Sequence, residues 1–257
     1  MRRLGGFAGG LLSSVLAAGC ASKAPPPKAP PPAPAPAPAP VAKERPDDEM
    51  VVEGTLGSLT DDEIAGPFQR RWNDVSRCYA TEKQKMRYLG GKIELKFRVG
   101  GGGEPKSVHL QGSTVGSWEA ERCILEIARG LTFSKPHGGK EAEFVYPIEF
   151  RSEAPVTAWA GDDKRVVAAL PRLKKDVAAC AAKAPGAKPP AGMVVTVYVG
   201  PGGKIASAGL HADAAVDEGL ASCVAERART WRLFDPQGRM AKVSLRLDGS
   251  GNGGAPP

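Results

Sequence analysis

The 257-residue chain is poor in aromatics: four Trp, four Tyr and seven Phe make up 6% of it. Aromatic side chains bury the largest areas, so any core must be modest and mainly aliphatic. Histidine is scarce, with only His109, His137 and His211, which are scattered. There is no HExxH, no CxxC and no pair of carboxylates on one helix face. Zinc-dependent, thiol-redox and acid–base chemistry therefore lack their usual constellations, and no catalytic, cofactor or metal residue is assigned. No run of eighteen apolar residues occurs, so no segment reads as a membrane-spanning helix. The net charge of +7 is spread along the chain and does not by itself define an acidic partner.

Glycine and proline are abundant, at 32 and 24 residues, which marks part of the chain as tether or turn. The amino end has the order of a secretory signal: basic Met1-Arg2-Arg3, a small apolar stretch from Leu4, and then Leu16-Ala17-Ala18-Gly19-Cys20. The small residues before Cys20 resemble a bacterial lipobox, although Ala17 stands where a larger apolar residue is usual. The resemblance implies acylation of Cys20 and a lipid membrane as partner. Ala21 in place of Asp implies sorting to the outer membrane. Ten prolines follow between residues 25 and 40. They favour polyproline II, and residues 21–46 would span about 80 Å at about 3.1 Å per residue.

Beyond the tether the sequence repeats. With a shift of one hundred residues, Val99, Gly102, Ser107, Leu110 and Cys123 fall on Val199, Gly202, Ser207, Leu210 and Cys223, among other identities. Glu126, Ala128 and Arg129 likewise fall on Glu226, Ala228 and Arg229. Each copy offers the same elements. Phe68, Trp72, Val75 and Tyr79 recur at helical spacing, as do Val166, Leu170, Leu173 and Val177. Pro67 is placed at the start of the first of these helices, and Pro171 predicts a late start or a kink in the second. Ile93, Leu95, Phe97 and Val99 alternate with Glu94, Lys96 and Arg98, the pattern of a strand with one buried face, and Met193–Val199 is read the same way. Glycine runs at 100–103 and 200–203 turn the chain; without GK[ST], and lying between strands, they read as hairpin turns, not a phosphate loop. A return strand follows, then a helix capped by Ser117 or Asp217, then a last strand through Phe144–Phe150 or Lys242–Leu247.

The expected fold class is therefore α+β: two tandem two-layer domains, each helix–strand–strand–helix–strand, with a three-stranded antiparallel sheet carrying both helices on one face. The expected boundaries are 1–19 signal peptide, 20–59 acylated Cys and disordered tether, 60–152 first domain, 153–161 linker, 162–249 second domain and 250–257 disordered tail. Trp159 should seal the linker, and Trp118 should be a core residue at a helix start. Four cysteines allow three pairings, and the repeat selects Cys78–Cys123 and Cys180–Cys223 as structural disulfides.

Cys78-Tyr79, Gly91, the strand Lys92–Val99, Ser107, Cys123 and the helix end Ala128–Phe133 together resemble the TonB C-terminal domain superfamily, and within it the AgmX/PglI C-terminal family of myxobacterial envelope proteins. The second copy keeps Cys180, Gly192, Gly202-Gly203, Cys223 and Ala228-Arg229. The resemblance covers roughly residues 60–151 and 163–248. It implies binding of an extended partner peptide along a sheet. Pro147 would blunt the last strand of the first copy. The second copy's last strand, Lys242, Val243, Leu245, Arg246 and Leu247, is thus the expected edge for an acidic extended peptide.

The expected function is that of a non-enzymatic, periplasm-facing lipoprotein without cofactors, which binds an envelope protein. The alternative is an envelope spacer that contacts peptidoglycan through the basic face formed by Arg70, Arg71, Arg77, Lys83, Lys85 and Arg87. A secreted location excludes nucleic acid as a partner.

Overall fold

The computed structural model describes residues 57–184 and 188–247. The signal, Cys20, the Pro-rich tether and the tail lie outside them. The described residues form a mixed α/β structure with five α-helices, one antiparallel sheet and one mixed sheet. None of these helices is long and apolar enough to cross a membrane.

The first half opens with α1 (Asp61–Arg70) and α2 (Trp72–Lys85), separated by a break at Arg71. Helix α1 starts well before Pro67. Thr60 and Glu63 form a reciprocal capping box, which satisfies two of the backbone donors that a helix start leaves unpaired. Pro67 thus sits inside a helix, correcting its expected place at the start. Strands β1 (Gly91–Val99), β2 (Pro105–Ser113) and, after α3 (Trp118–Arg129), β3 (Ala142–Phe150) form an antiparallel sheet in the order β2-β1-β3. Ser117 caps α3 through its side chain, as expected. Ile93, Leu95, Phe97 and Val99 are fully buried, whereas Glu94, Lys96 and Arg98 carry the outer, charge-paired face. The edge position of β3 is what tolerates Pro147, since proline has no N–H to give to a ladder.

The second half repeats the order with one addition. The segment expected to be a plain linker contributes β4 (Thr157–Ala158). Next come α4 (Lys164–Lys183), β5 (Val194–Val199), β6 (Ile205–His211), α5 (Glu218–Arg229) and β7 (Ala241–Arg246). The sheet order is β4-β7-β5-β6, with β4 parallel to β7. The sheet is therefore four-stranded and mixed, not three-stranded and antiparallel, because linker backbone donors found acceptors on β7. Helix α4 runs through Pro171 unbroken. Asp217 caps α5 by accepting from the Leu220 N–H. Gly202 and Gly203 turn the β5–β6 connection at φ of 69° and 70°, where a side chain would be strained.

Both expected disulfides are present. Cys78–Cys123 ties α2 to α3 and Cys180–Cys223 ties α4 to α5, each with a Cα–Cα distance of 5.7 Å. Each lies within its own half, as the repeat selected.

Candidate functional site

Strand edges are where a sheet protein can accept another chain, because they present unpaired main-chain donors and acceptors. The two sheets have four edges, and three of them are engaged. The β2 and β6 edges approach each other where the Ala212 N–H donates to the Leu110 carbonyl at 3.3 Å. The β7 edge carries the linker: the Thr157 N–H donates to Met240 O at 3.0 Å and the Trp159 N–H to Lys242 O at 2.8 Å. The chain stays close past β4, since a Cβ on Gly161 would lie 3.0 Å from Ser244 O. Trp159 holds it there. Its ring stacks on Phe234 at 3.7 Å, and the Arg165 guanidinium lies 3.7 Å from the same Phe ring.

The edge anticipated for a guest peptide is therefore occupied at its start, Ala241–Lys242, by the chain's own linker, which corrects the expectation of an open edge there. Val243, Leu245 and Leu247 are buried core residues, and Arg246 lies opposite Val194 in the β5–β7 ladder. The Lys242 ammonium points into the junction between the halves, donating to the carbonyls of Gly90 and Thr114 at 3.2 Å each. Burial pushes its pKa down. It cannot hold this place and also offer its charge to an acidic peptide at the edge.

That leaves β3. Among the described residues no strand pairs with its outer side. Pro147 sits opposite Glu94, and its nitrogen must face away from β1 to avoid costing a ladder bond. Residues two apart in a strand point alike, so the Val145 N–H faces outward as well. Val145 is 42% exposed, while Phe144 and Tyr146 on the core side are only half-buried. Phe144 stacks on Phe97 and Tyr146 on Phe68, giving a firm aromatic floor beside the open edge.

The junction between the halves has a polar, hydrogen-bonded centre, bordered by two buried histidine nitrogens without a partner, His109 Nε2 and His211 Nδ1. Glu121, in the first turn of α3, is completely buried. Its carboxylate accepts from the Ser113 hydroxyl at 2.6 Å, from the Gly116 N–H at 3.2 Å and, across the junction, from the Leu210 N–H at 2.9 Å. Desolvation raises its pKa to about 7 against the pull of those donors. Tyr198 of β5 donates its hydroxyl to Gly90 O at 2.9 Å, and Ser207 donates to Gly116 O at 2.7 Å. Trp118 is buried, as expected, and its indole N–H reaches Ser222 Oγ at 3.1 Å. All of β5 is buried, so its second face, Thr196 and Tyr198 included, is closed by the first half. The expectation of a single buried face fails for this strand.

His109 and His211 border this junction, and burial depresses both pKa values. His137 is elsewhere, 3.0 Å from Glu63. The three histidines are not brought together. Among the described residues no group of three or more His, Cys, Asp or Glu side chains could hold a metal ion. The basic residues near α2 are partly paired: Arg71 and Arg77 share Asp74, Lys83 meets Glu153, and Lys85 meets Glu82.

Comparisons with protein-family models, with curated proteins and with solved structures found no match.

Proposed function

We propose that the chain is a non-enzymatic, periplasm-facing lipoprotein of two tandem TonB C-terminal-like domains, anchored through acylated Cys20, and that it binds an extended segment of an envelope protein by strand addition. The observation that supports this reading is the outer edge of β3, with an outward N–H at Val145 and half-buried Phe144 and Tyr146 to receive alternate side chains of a guest. The guest strand would lie along Ala142–Tyr146, before Pro147 interrupts the donors. The peptidoglycan-spacer alternative has less support at α2, because four of the six cations invoked for it share three carboxylates, Asp74, Glu82 and Glu153.

The test is a photo-crosslinking residue at Val145 in intact cells, with the same residue at Ser244 as control. A discrete protein adduct is expected at 145 and none at 244. Adding Val145→Pro in a chain crosslinking from Glu143 should abolish the adduct, because it removes an outward donor and leaves the β1 ladder intact. Equal adducts at both positions, or one that survives Val145→Pro, would refute strand addition at this edge.

A further inference from the structure

Helix α4 carries charge in a way that α2 does not. At 100° per residue Lys164 and Lys175 lie directly opposite its buried face, Arg165, Arg172 and Lys183 lie toward one flank, and the half-buried Lys174 lies on the other. Its one carboxylate, Asp176, lies to the side, receiving the Trp231 indole N–H at 3.0 Å and pairing with Arg227. Arg165 is paired with Asp163, and Arg172 donates to the Arg232 carbonyl. The four lysines have no carboxylate within ion-pair distance among the described residues. Between them lie Val167, 41% exposed, and the exposed Ala168, Pro171 and Ala178. The opposite face, Val166, Leu170, Leu173, Val177 and Cys180, is locked in the core and cannot rotate outward.

We infer that the outer face of α4 is a docking surface for an anionic phospholipid bilayer. Lys164 and Lys175 on the outward face, with Lys174 and Lys183 on its two flanks able to reach down along their stems, present unpaired ammonium groups over about 30 Å of rigid helix to a sheet of negative headgroups, and each such lysine adds to the attraction. The strip of Val167, Ala168, Pro171 and Ala178 is shallow and apolar. A headgroup interface can cover such a strip, whereas a hydrated cell-wall polymer gains nothing from it. The lysine stems can lie along the interface with their ammonium groups at phosphate level. The helix is bound into its domain, so it adsorbs without inserting. The inference does not depend on the guest strand at β3 or on the acyl anchor. Where the anchor is present, tethering raises the local concentration of membrane and strengthens a weak contact.

The experiment uses the full mature chain with Cys20→Ser, so that no acyl group contributes, and vesicles of phosphatidylcholine with or without phosphatidylglycerol. The chain should sediment with the phosphatidylglycerol vesicles alone and be released by raised salt. Replacing Lys164, Lys174, Lys175 and Lys183 with Gln should lower partitioning by up to about a thousandfold, at about 1 kcal/mol per lysine. A charge-matched variant with Arg71, Arg77, Lys83 and Lys85 as Gln should retain most of it. Val145→Pro should leave vesicle binding unchanged, which separates this surface from the β3 edge. Equal losses in the two charge variants would mean that only net charge matters and would overturn the assignment. Failure to bind anionic vesicles would do the same, as would binding to purified sacculi but not to vesicles.

Discussion

The Glu121 carboxylate of the first half and the Leu210 N–H of the second are joined by a 2.9 Å hydrogen bond across 89 residues of sequence. The neighbouring residue, Gly209, makes the bond possible: a Cβ there would run into the Glu121 carboxylate. In the repeat, Gly209 corresponds to His109 and Glu121 to Ala221. The two halves are thus complementary at this contact, a carboxylate in one facing a position without a side chain in the other.

Gly209→Ala should destabilise the protein by about 2 kcal/mol, through forced displacement of a packed, charged group. Glu121→Ala should cost roughly 3 kcal/mol, because the Ser113 hydroxyl and the Gly116 and Leu210 amides lose their acceptor in a buried site. The double variant should cost clearly less than the sum, since the alanine at 209 no longer meets a carboxylate. Urea unfolding of the four proteins would show this coupling; additive losses would contradict the contact.

The same carboxylate sets a pH dependence. Its folded pKa, near 7, lies above the ordinary carboxylate value, so the folded state holds its proton longer than the unfolded state. The associated stability is fully present below the unfolded pKa and is lost as pH rises through 7, roughly 3 kcal/mol in all. His109 and His211 act with the opposite sign: their folded pKa values are depressed, so stability falls as pH drops below the ordinary histidine range. Glu121→Gln should therefore flatten the loss on the neutral side and leave the acid-side loss. His211→Gln should reduce the acid-side loss alone. Thermal melts from pH 4 to 8 would separate the two.

Much of this was legible in the residues. Alternation placed β1 with its charged face outward, Ser117 and Asp217 marked the helix starts, and the duplicated cysteines chose their partners. The missed start of α1 had a signal in Thr60-Asp61-Asp62-Glu63, a capping-box spacing that precedes Pro67. The missed burial of β5 had one too: Val194–Val199 carries no charge, whereas Glu94, Lys96 and Arg98 occupy the matching positions of β1. Strand β4 was not legible, because two residues, Thr157 and Ala158, have no periodicity. Glu121 reads as an ordinary first-turn carboxylate, favourable at a helix N-terminus and solvated. Only its neighbours across the junction make it a buried acceptor.

Each disulfide closes a loop of about 45 residues, which the chain-entropy model values at about 4 kcal/mol. Replacing Cys78 and Cys123 together with Ala should lower stability by up to that amount, as should Cys180 with Cys223. Peptide mapping of the intact protein should recover only these two bridges. A bridge joining one half to the other would contradict the pairing seen at α2–α3 and α4–α5.

Trp159→Ala should release the linker from β7 by removing the stack on Phe234, at a cost of about 2 kcal/mol. The Thr157 and Trp159 N–H groups would then exchange with solvent faster, and the edge at Met240–Lys242 would open. An unchanged exchange rate at these positions would show that Trp159 does not hold the strap.

The central claim is that the first sheet ends in an open edge at β3, whereas the second has the start of its β7 edge, Ala241–Lys242, covered by its own linker. Site-resolved hydrogen exchange of the unbound chain tests it most directly. The account predicts fast exchange at the outward Val145 amide and slow exchange at Thr157 and Trp159, whose N–H groups are bonded to β7. A protected Val145 together with rapidly exchanging Thr157 and Trp159 would contradict it.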